Sequence, residues 1–352
     1  MNLIISEREV SANMIGIRVD VNETIATGHF MRCLSIAQGI RNAKSDVLFI
    51  SADERVKVLS DLYHFQAVQL DTKWDDMDSE VDILTDTICK YRVDKLLVDS
   101  YYVTDGYLRK LSEYAELIYI DDINKFKYPV DALINYNPYF NIFNYTQTYR
   151  ETNTKLILGP KYAPLRSEFR GINREIYENV ENVLITTGGS DTYGVTEHMI
   201  EAMIKDEGLS HINIHVIAGR YSKLDEKIDL RLCPNIHVHK NVKNMSDLMK
   251  QCDIAVTAGG STMYELCACG VPSVSFTFAD NQVFGAEALN NMELIPYSGD
   301  VRNDMDECIA IIVDNIRYYI NNYEVRKQKS QAMQILVDGF GVDRIVKDVF
   351  GL

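Results

Sequence analysis

The amino-acid sequence predicts an α/β protein of two doubly wound, parallel-sheet domains facing a shared cleft. Short apolar runs alternate with helical periods from Met14 to about Tyr139, and a second such series opens at Asn182. In that second series a glycine pair twice follows an apolar run, at Gly188 and Gly189 and again at Gly259 and Gly260. A chain of 352 residues is long for one domain and comfortable for two, each able to bury a core. The expected division is an amino-terminal Rossmann-like domain over residues 1–160 and a carboxyl-terminal one over residues 161–352.

The first strand is MIGIRVDV, Met14 to Val21, with Arg18 and Asp20 interleaved among apolar residues. The segment NETIATGH then forms a polar loop, and HFMRCLSIAQGIRNA is an amphipathic helix with Phe30, Leu34, Ala37 and Ile40 on its apolar face. His29 therefore lies at a helix amino terminus beyond the end of a strand. The positive helix end favours a neutral imidazole, able to take a proton from water, and Gly28 beside it lets a ligand approach; a helix-start histidine without chemistry has the same pattern. Alternation continues through DVLFISA, AVQL, DILTDTICKY, KLLVDSYY, a helix from Thr104 to Tyr114, ELIYIDD and DALINYNPY. Several of these strands end in polar side chains: Asp99 and Tyr101, Asp121 and Asp122, Asn135 and Asn137. Such groups are site residues or turn formers.

Between Asn141 and Tyr177 the pattern loosens into a crossing between domains, where Arg166 and Glu168 either face the cleft or pair on the surface. The second series runs from NVLITTGGSD through a helix at Val195 to Ile204, the strand INIHVIAG, a helix near Ser222 to Ile228, the strand IHVHK and a helix at Met245 to Lys250. His237 and His239 share one face of a strand, and no cysteine or carboxylate joins them at metal-ligand spacing, so a solvated face is expected. From Met305 onward the chain is helical, with a break at Gly339 to Gly341 and a last helix packing back across the domain junction.

The most informative stretch is DIAVTAGGSTMYELCACGVPSVSFTFADNQ, Asp253 to Gln282. A buried strand runs into Gly259, Gly260, Ser261 and Thr262, then into a helix near Met263 with Glu265 in its first turn. Glycines that admit a ligand, amides at a helix start and the positive end of its dipole would together make an anion cradle; a tight turn with Ser261 or Thr262 as N-cap has the same pattern. Glu265 is either placed to accept hydrogen bonds from a ribose or a first-turn acid that compensates the helix dipole. A second strand, Pro272 to Phe276, is followed by a polar loop carrying Asn281 and Gln282, where open α/β sheets bind ligands.

A formal charge of −15 argues against a nucleic-acid or anionic-membrane partner. The seven cysteines form no CxxC pair and read as reduced thiols of a cytoplasmic protein. The amino terminus lacks the basic and apolar regions of a signal peptide, and no apolar run is long enough to span a bilayer.

Taken in order, these motifs resemble those of the UDP-2,4-diacetamido-2,4,6-trideoxy-β-L-altropyranose hydrolases of the pseudaminic acid pathway, a family related to the glycosyltransferase-B fold. The family's R-x-D, GxGH and MR match Arg18, Asp20, Gly28, His29, Met31 and Arg32, with Ala26 where the family has its first glycine. VDxY matches Val98, Asp99 and Tyr101; IDD matches Ile120 to Asp122; LLGPxYAxLRxEF matches Ile157 to Phe169; the loops GGSD, AGGSTxxE and ADNQ follow. The resemblance implies release of UDP by water attacking the anomeric carbon, with His29 as general base and Asp99 and Tyr101 beside it. It implies substrate contacts at Arg18, Asp20, Gly28, Arg166, Gly188, Gly189, Ser190, Gly259, Gly260, Ser261, Thr262, Glu265, Asn281 and Gln282, and no cofactor or metal. A UDP-sugar-dependent glycosyltransferase of the same fold acting on cell-surface polysaccharide, and a non-catalytic nucleotide-sugar-binding subunit, are the alternatives.

Overall fold

The computed structural model describes residues 14–22, 27–188, 191–218 and 233–352. Gly189, Ser190, Ala26, the lead-in before Met14 and the helix expected near Ser222 to Ile228 lie outside these residues. The chain divides into two compact units, Met1–Pro164 with Gly341–Leu352, and Leu165–Phe340. The expected assignment of the whole carboxyl terminus to the second domain is corrected here: its last twelve residues, 341–352, belong to the first unit.

The first unit is built on a seven-stranded sheet in the order β3-β2-β1-β4-β5-β6-β7. The strands are β1 Met14–Val19, β2 Asp46–Ser51, β3 Gln66–Gln69, β4 Val93–Asp99, β5 Glu116–Ile120, β6 Ala132–Asn135 and β7 Lys155–Leu158, and all pairings are parallel. Runs such as Leu48, Phe49, Ile50 and Leu96, Leu97, Val98 are buried on both faces, as parallel strands covered by helices must be. Strand order reverses between β1 and β4, with Val19 level with Asp99. At such a switch point the two flanking connections leave in opposite directions, opening a crevice at the strands' carboxyl ends.

The second unit repeats the plan with six strands in the order β10-β9-β8-β11-β12-β13. They are β8 Asn182–Thr186, β9 Asn213–Ala218, β10 Ile236–Lys240, β11 Ile254–Ala258, β12 Ser273–Thr277 and β13 Tyr297–Asp300. Its reversal falls between β8 and β11, so both glycine turns stand at the ends of the two central strands. The helices Met305–Asn321 and Tyr323–Leu336 complete this unit; Ile309, Ile312, Ile316 and Tyr319 of the first pack into its core beside Val256 and Val274. One expectation fails at ADNQ: Asp280, Asn281 and Gln282 open the helix Asp280–Asn291 rather than forming a loop.

Candidate functional site

At the switch point of the first unit, His29 is the second residue of the helix Gly28–Asn42, which has no side-chain cap. Its Nδ1 lies 2.6 Å from Asp99 Oδ1. Arg32, one helical turn on and so on the same face, donates to both oxygens of Asp99 at 2.6 Å and reaches Asp122 Oδ2 at 2.8 Å. The remaining valences are filled locally: Tyr101 donates to Asp122 at 2.9 Å, Asn137 to the other Asp122 oxygen at 2.8 Å, and the Cys33 thiol to Asp99 at 3.4 Å. The Tyr101 ring stands edge-on to the imidazole, centroids 4.9 Å apart.

The electrostatics of this cluster follow from its charges. Burial alone would raise the Asp99 carboxyl, but Arg32 and His29 together hold it well below the usual carboxylate range. Burial and the adjacent Asp122 push the Tyr101 phenol well above its ordinary value, so it stays a hydrogen-bond donor. An ionised carboxylate only accepts, so the proton of a neutral His29 ring sits on Nδ1 and the lone pair on Nε2. Asp99 is fully enclosed, whereas the His29 side chain keeps 17 % of its surface. Of the pair, the histidine alone reaches the surface. Tyr136, which receives Arg32 at 2.8 Å, carried no signal in the sequence; Arg32 was visible only as a motif member, and Asp122 also as a polar residue at a strand end.

Arg18 and Asp20, expected to touch substrate, are corrected by the structure. Arg18 is 0 % exposed and Asp20 1 %. Arg18 forks onto Glu80 at 2.7 Å through Nε and Nη2, and its Nη1 meets Asp20 at 2.6 Å. Tyr107 donates to Glu80 at 2.8 Å, and the Ala52 amide donates to Asp20 at 2.8 Å. This is an internal ion cluster fastening β1 to the turn Met77–Glu80 before the helix Val81–Tyr91, and it offers a ligand no open group.

In the second unit the two glycine turns differ. Gly188 adopts a left-handed φ of +78°, and a Cβ there would meet nothing within 4 Å among the described residues. Asp191 of the same turn accepts the Val195 and Thr196 amides at 2.8 and 3.0 Å, so the helix Val195–Lys205 already has an internal carboxylate at its start. At the other turn the Gly259 amide donates to Phe276 and the Gly260 amide to Ala258, both at 2.8 Å. The expectation that these two amides face a ligand is therefore corrected. Gly259 is demanded by packing, since a Cβ there would come within 3.0 Å of the Gln282 carbonyl, while Gly260 has open space. The helix Thr262–Cys269 has no side-chain cap, and the Ser261 and Thr262 amides have no partner among the described residues. These are the open donors of the turn.

Glu265, in the first turn of that helix, meets Arg166 at 3.1 Å, and Arg166 also meets Glu168 at 3.2 Å. Arg166 and Glu265 remain 29 % and 19 % exposed, and burial raises the Glu265 carboxyl despite Arg166. Gln282 accepts the Phe278 amide through its side-chain oxygen at 3.0 Å, and Asn281 is exposed. His237 and His239 are joined by His215, whose Nδ1 lies 3.0 Å from His239 Nε2. Among the described residues no group of three could hold a metal, and no helix is long and apolar enough to cross a membrane.

Residues 183–334 match the model of the glycosyltransferase family 28 C-terminal domain. The spore coat polysaccharide biosynthesis protein SpsG of Bacillus subtilis is 23% identical over 94% of this chain and 96% of that protein. An uncharacterized protein of Methanocaldococcus jannaschii is 26% identical over 74% of this chain, and the matched region spans only 54% of that protein. The pseudaminic acid cytidylyltransferase and UDP-2,4-diacetamido-2,4,6-trideoxy-beta-L-altropyranose hydrolase of Helicobacter pylori is 28% identical over 56% of this chain and 37% of its own length. Among solved structures, Acinetobacter baumannii MurG superposes with a TM-score of 0.72 at 12% identity, covering 97% of this chain and all of that one, 100%. A UDP-GlcNAc 2-epimerase from Neisseria meningitidis gives 0.64 at 12% identity, covering 97% of this chain and 100% of its own. The chain thus has the glycosyltransferase-B fold, two parallel-sheet α/β units of which the second matches the family 28 C-terminal domain.

Proposed function

We propose that this protein is a nucleotide-sugar hydrolase that releases UDP from a UDP-linked diacetamido-trideoxy-hexose in nonulosonic, pseudaminic-type acid biosynthesis. The observation that carries the reading is the 2.6 Å contact between His29 and the enclosed, ionised Asp99. It fixes the tautomer that leaves Nε2 free to take a proton. In the reaction, water oxygen bonds to the anomeric carbon as its proton passes to His29 Nε2. The bond from that carbon to the bridging oxygen breaks, and UDP leaves with the electron pair. UDP is a good leaving group, so no carboxylic acid need protonate it, unlike the paired carboxylates of glycosidases.

In this reading the second unit binds the nucleotide through the Ser261 and Thr262 amides, Glu265, Arg166, Asn281 and Gln282, with Gly188, Gly189 and Ser190 at the neighbouring turn and Gly28 beside the base. The hydrolase is one of the two activities in the Helicobacter relative's printed name, and the match to that protein covers 56% of this chain and 37% of its own length. A cytoplasmic location is part of this reading, from seven scattered cysteines without a CxxC pair. A UDP-sugar-dependent glycosyltransferase is the second reading, favoured by the family 28 match over residues 183–334. Incubating the protein with a panel of UDP-sugars, without acceptor, and assaying free UDP and reducing sugar separates them. Equal release of both supports hydrolysis; UDP release only when a sugar or lipid acceptor is added supports transfer.

A further inference from the structure

Trp74 is the chain's single tryptophan and lies in the loop after β3, at the carboxyl end of the first sheet. Its indole meets the Tyr102 ring edge-on, centroids 5.0 Å apart. Tyr102 follows Tyr101 in the chain, and Tyr101 is the residue whose ring abuts the His29 imidazole at 4.9 Å. Among the described residues, neither Trp74 nor Tyr102 is part of the buried apolar cluster that holds Leu70, Met77 and Val103. Tyr102 is 37% exposed, and Trp74 is half-buried. The loops that carry them are fastened: Thr72 donates to Glu80 at 3.1 Å, Thr104 to Asp78 at 2.6 Å, and the Tyr102 amide to Ser100 at 3.2 Å. Two partly wet rings on anchored loops, one of them the chain neighbour of the tyrosine that meets His29, have the character of a recognition surface.

We propose that Trp74 and Tyr102 form the wall against which the pyranose ring of the substrate packs. An aromatic face is electron-rich, and the C–H bonds on one face of a pyranose present the complementary positive edge. The wall selects for the sugar and contributes nothing to the nucleotide. It rests on the nucleotide-sugar reading above, and its test keeps the two apart.

The test uses the full chain and the emission of Trp74, which no other tryptophan obscures. UDP and UDP-N-acetylglucosamine are titrated in turn, with calorimetry of each on the wild type, Trp74→Ala, Trp74→Phe and Tyr102→Ala, and the UDP-linked diacetamido-trideoxy-hexose on the same chains carrying His29→Ala to stop turnover. The expected result is a change of emission with a nucleotide sugar and none with saturating UDP. Trp74→Ala should weaken a nucleotide sugar roughly five- to tenfold while leaving UDP within about twofold, and Trp74→Phe should recover part of the loss. Tyr102→Ala, at a partly exposed ring, carries the same expectation if Trp74→Ala does not fold. The wall is overturned if UDP alone reproduces the emission change, if no nucleotide sugar changes it, or if these variants bind the sugar nucleotides as tightly as the wild type. If UDP itself does not bind, the nucleotide-sugar reading falls and the wall with it; if UDP binds and only the variants are silent, the wall alone falls.

Discussion

Arg18 and Arg32 each hold two carboxylates near the carboxyl ends of the central strands of the first unit, Arg18 with Asp20 and Glu80, Arg32 with Asp99 and Asp122. Around Arg18 every member is sealed: the arginine is 0% exposed, Asp20 1% and Glu80 0%. Around Arg32 the set opens to solvent through His29, at 17%, with Arg32 itself at 11%. Chemically the clusters are alike, since both satisfy buried carboxylates with a guanidinium fork and a tyrosine hydroxyl. What separates them is one imidazole at an open helix start. A sealed ion cluster costs desolvation that its hydrogen bonds only offset, and it fixes geometry; the same cluster with a wet histidine can also exchange a proton with a ligand.

The comparison is sharpest at His29 itself. His29→Ala should lower UDP release by about a thousandfold or more while UDP affinity, by calorimetry, stays within about twofold; a parallel loss of affinity would make His29 a binding residue instead. Asp99→Asn should keep the hydrogen-bonded geometry but unsettle the tautomer, lowering turnover on the order of a hundredfold, with little change in KM. Arg18→Met should show the reverse signature. It leaves buried Glu80 and Asp20 unpaired, so urea unfolding should report a loss of about 3 kcal/mol, with UDP affinity of the folded protein unchanged. If Arg18→Met instead weakened ligand binding at full stability, the two clusters would not differ as described.

Smaller effects are expected in the second unit. Glu265→Ala should weaken UDP roughly tenfold and leave turnover at saturation nearly unchanged, as loss of a ribose contact requires. The histidine cluster provides a case in which burial outweighs the nearby carboxylate, Asp253. Burial, with His237 and His239 beside it, holds His215 down to about 4. The unfolded chain takes up that proton near 6.5, so between these values the unfolded state binds more protons and stability falls as the pH drops. The urea midpoint of the wild type should therefore fall more between pH 7 and pH 5 than that of His215→Asn; equal slopes would contradict this assignment.

Much of this was legible in the sequence because parallel strands are buried on both faces and so write themselves as apolar runs such as DVLFIS and KLLVD. Asp99 and Asp122 stood out for the same reason: a carboxylate directly after an apolar strand needs a partner. Which partner was not legible. Arg18 and Asp20 resemble an open site until Glu80, 62 residues away from Arg18, arrives to close it. Gly259 looked like a ligand-facing glycine, yet its amide completes the sheet and its missing Cβ makes room for Gln282. The ADNQ run is polar enough for a loop but starts a helix, with the Gln282 side chain turning back to the Phe278 amide. The third histidine, His215, joins His237 only through strand register, which places the two side by side on β9 and β10. Periodicity reports which face a residue takes; it does not report which distant chain meets that face.

Oxygen-18 water gives the most direct test of the central claim that the wet histidine, and not the sealed cluster, directs a water to carbon. With the UDP-linked diacetamido-trideoxy-hexose and no acceptor, the wild type should place one label on the anomeric hydroxyl of the released sugar and none in UDP, and His29→Ala should place none in either. Label in the terminal phosphate of UDP, or undiminished labelling of the sugar by His29→Ala, would contradict the account.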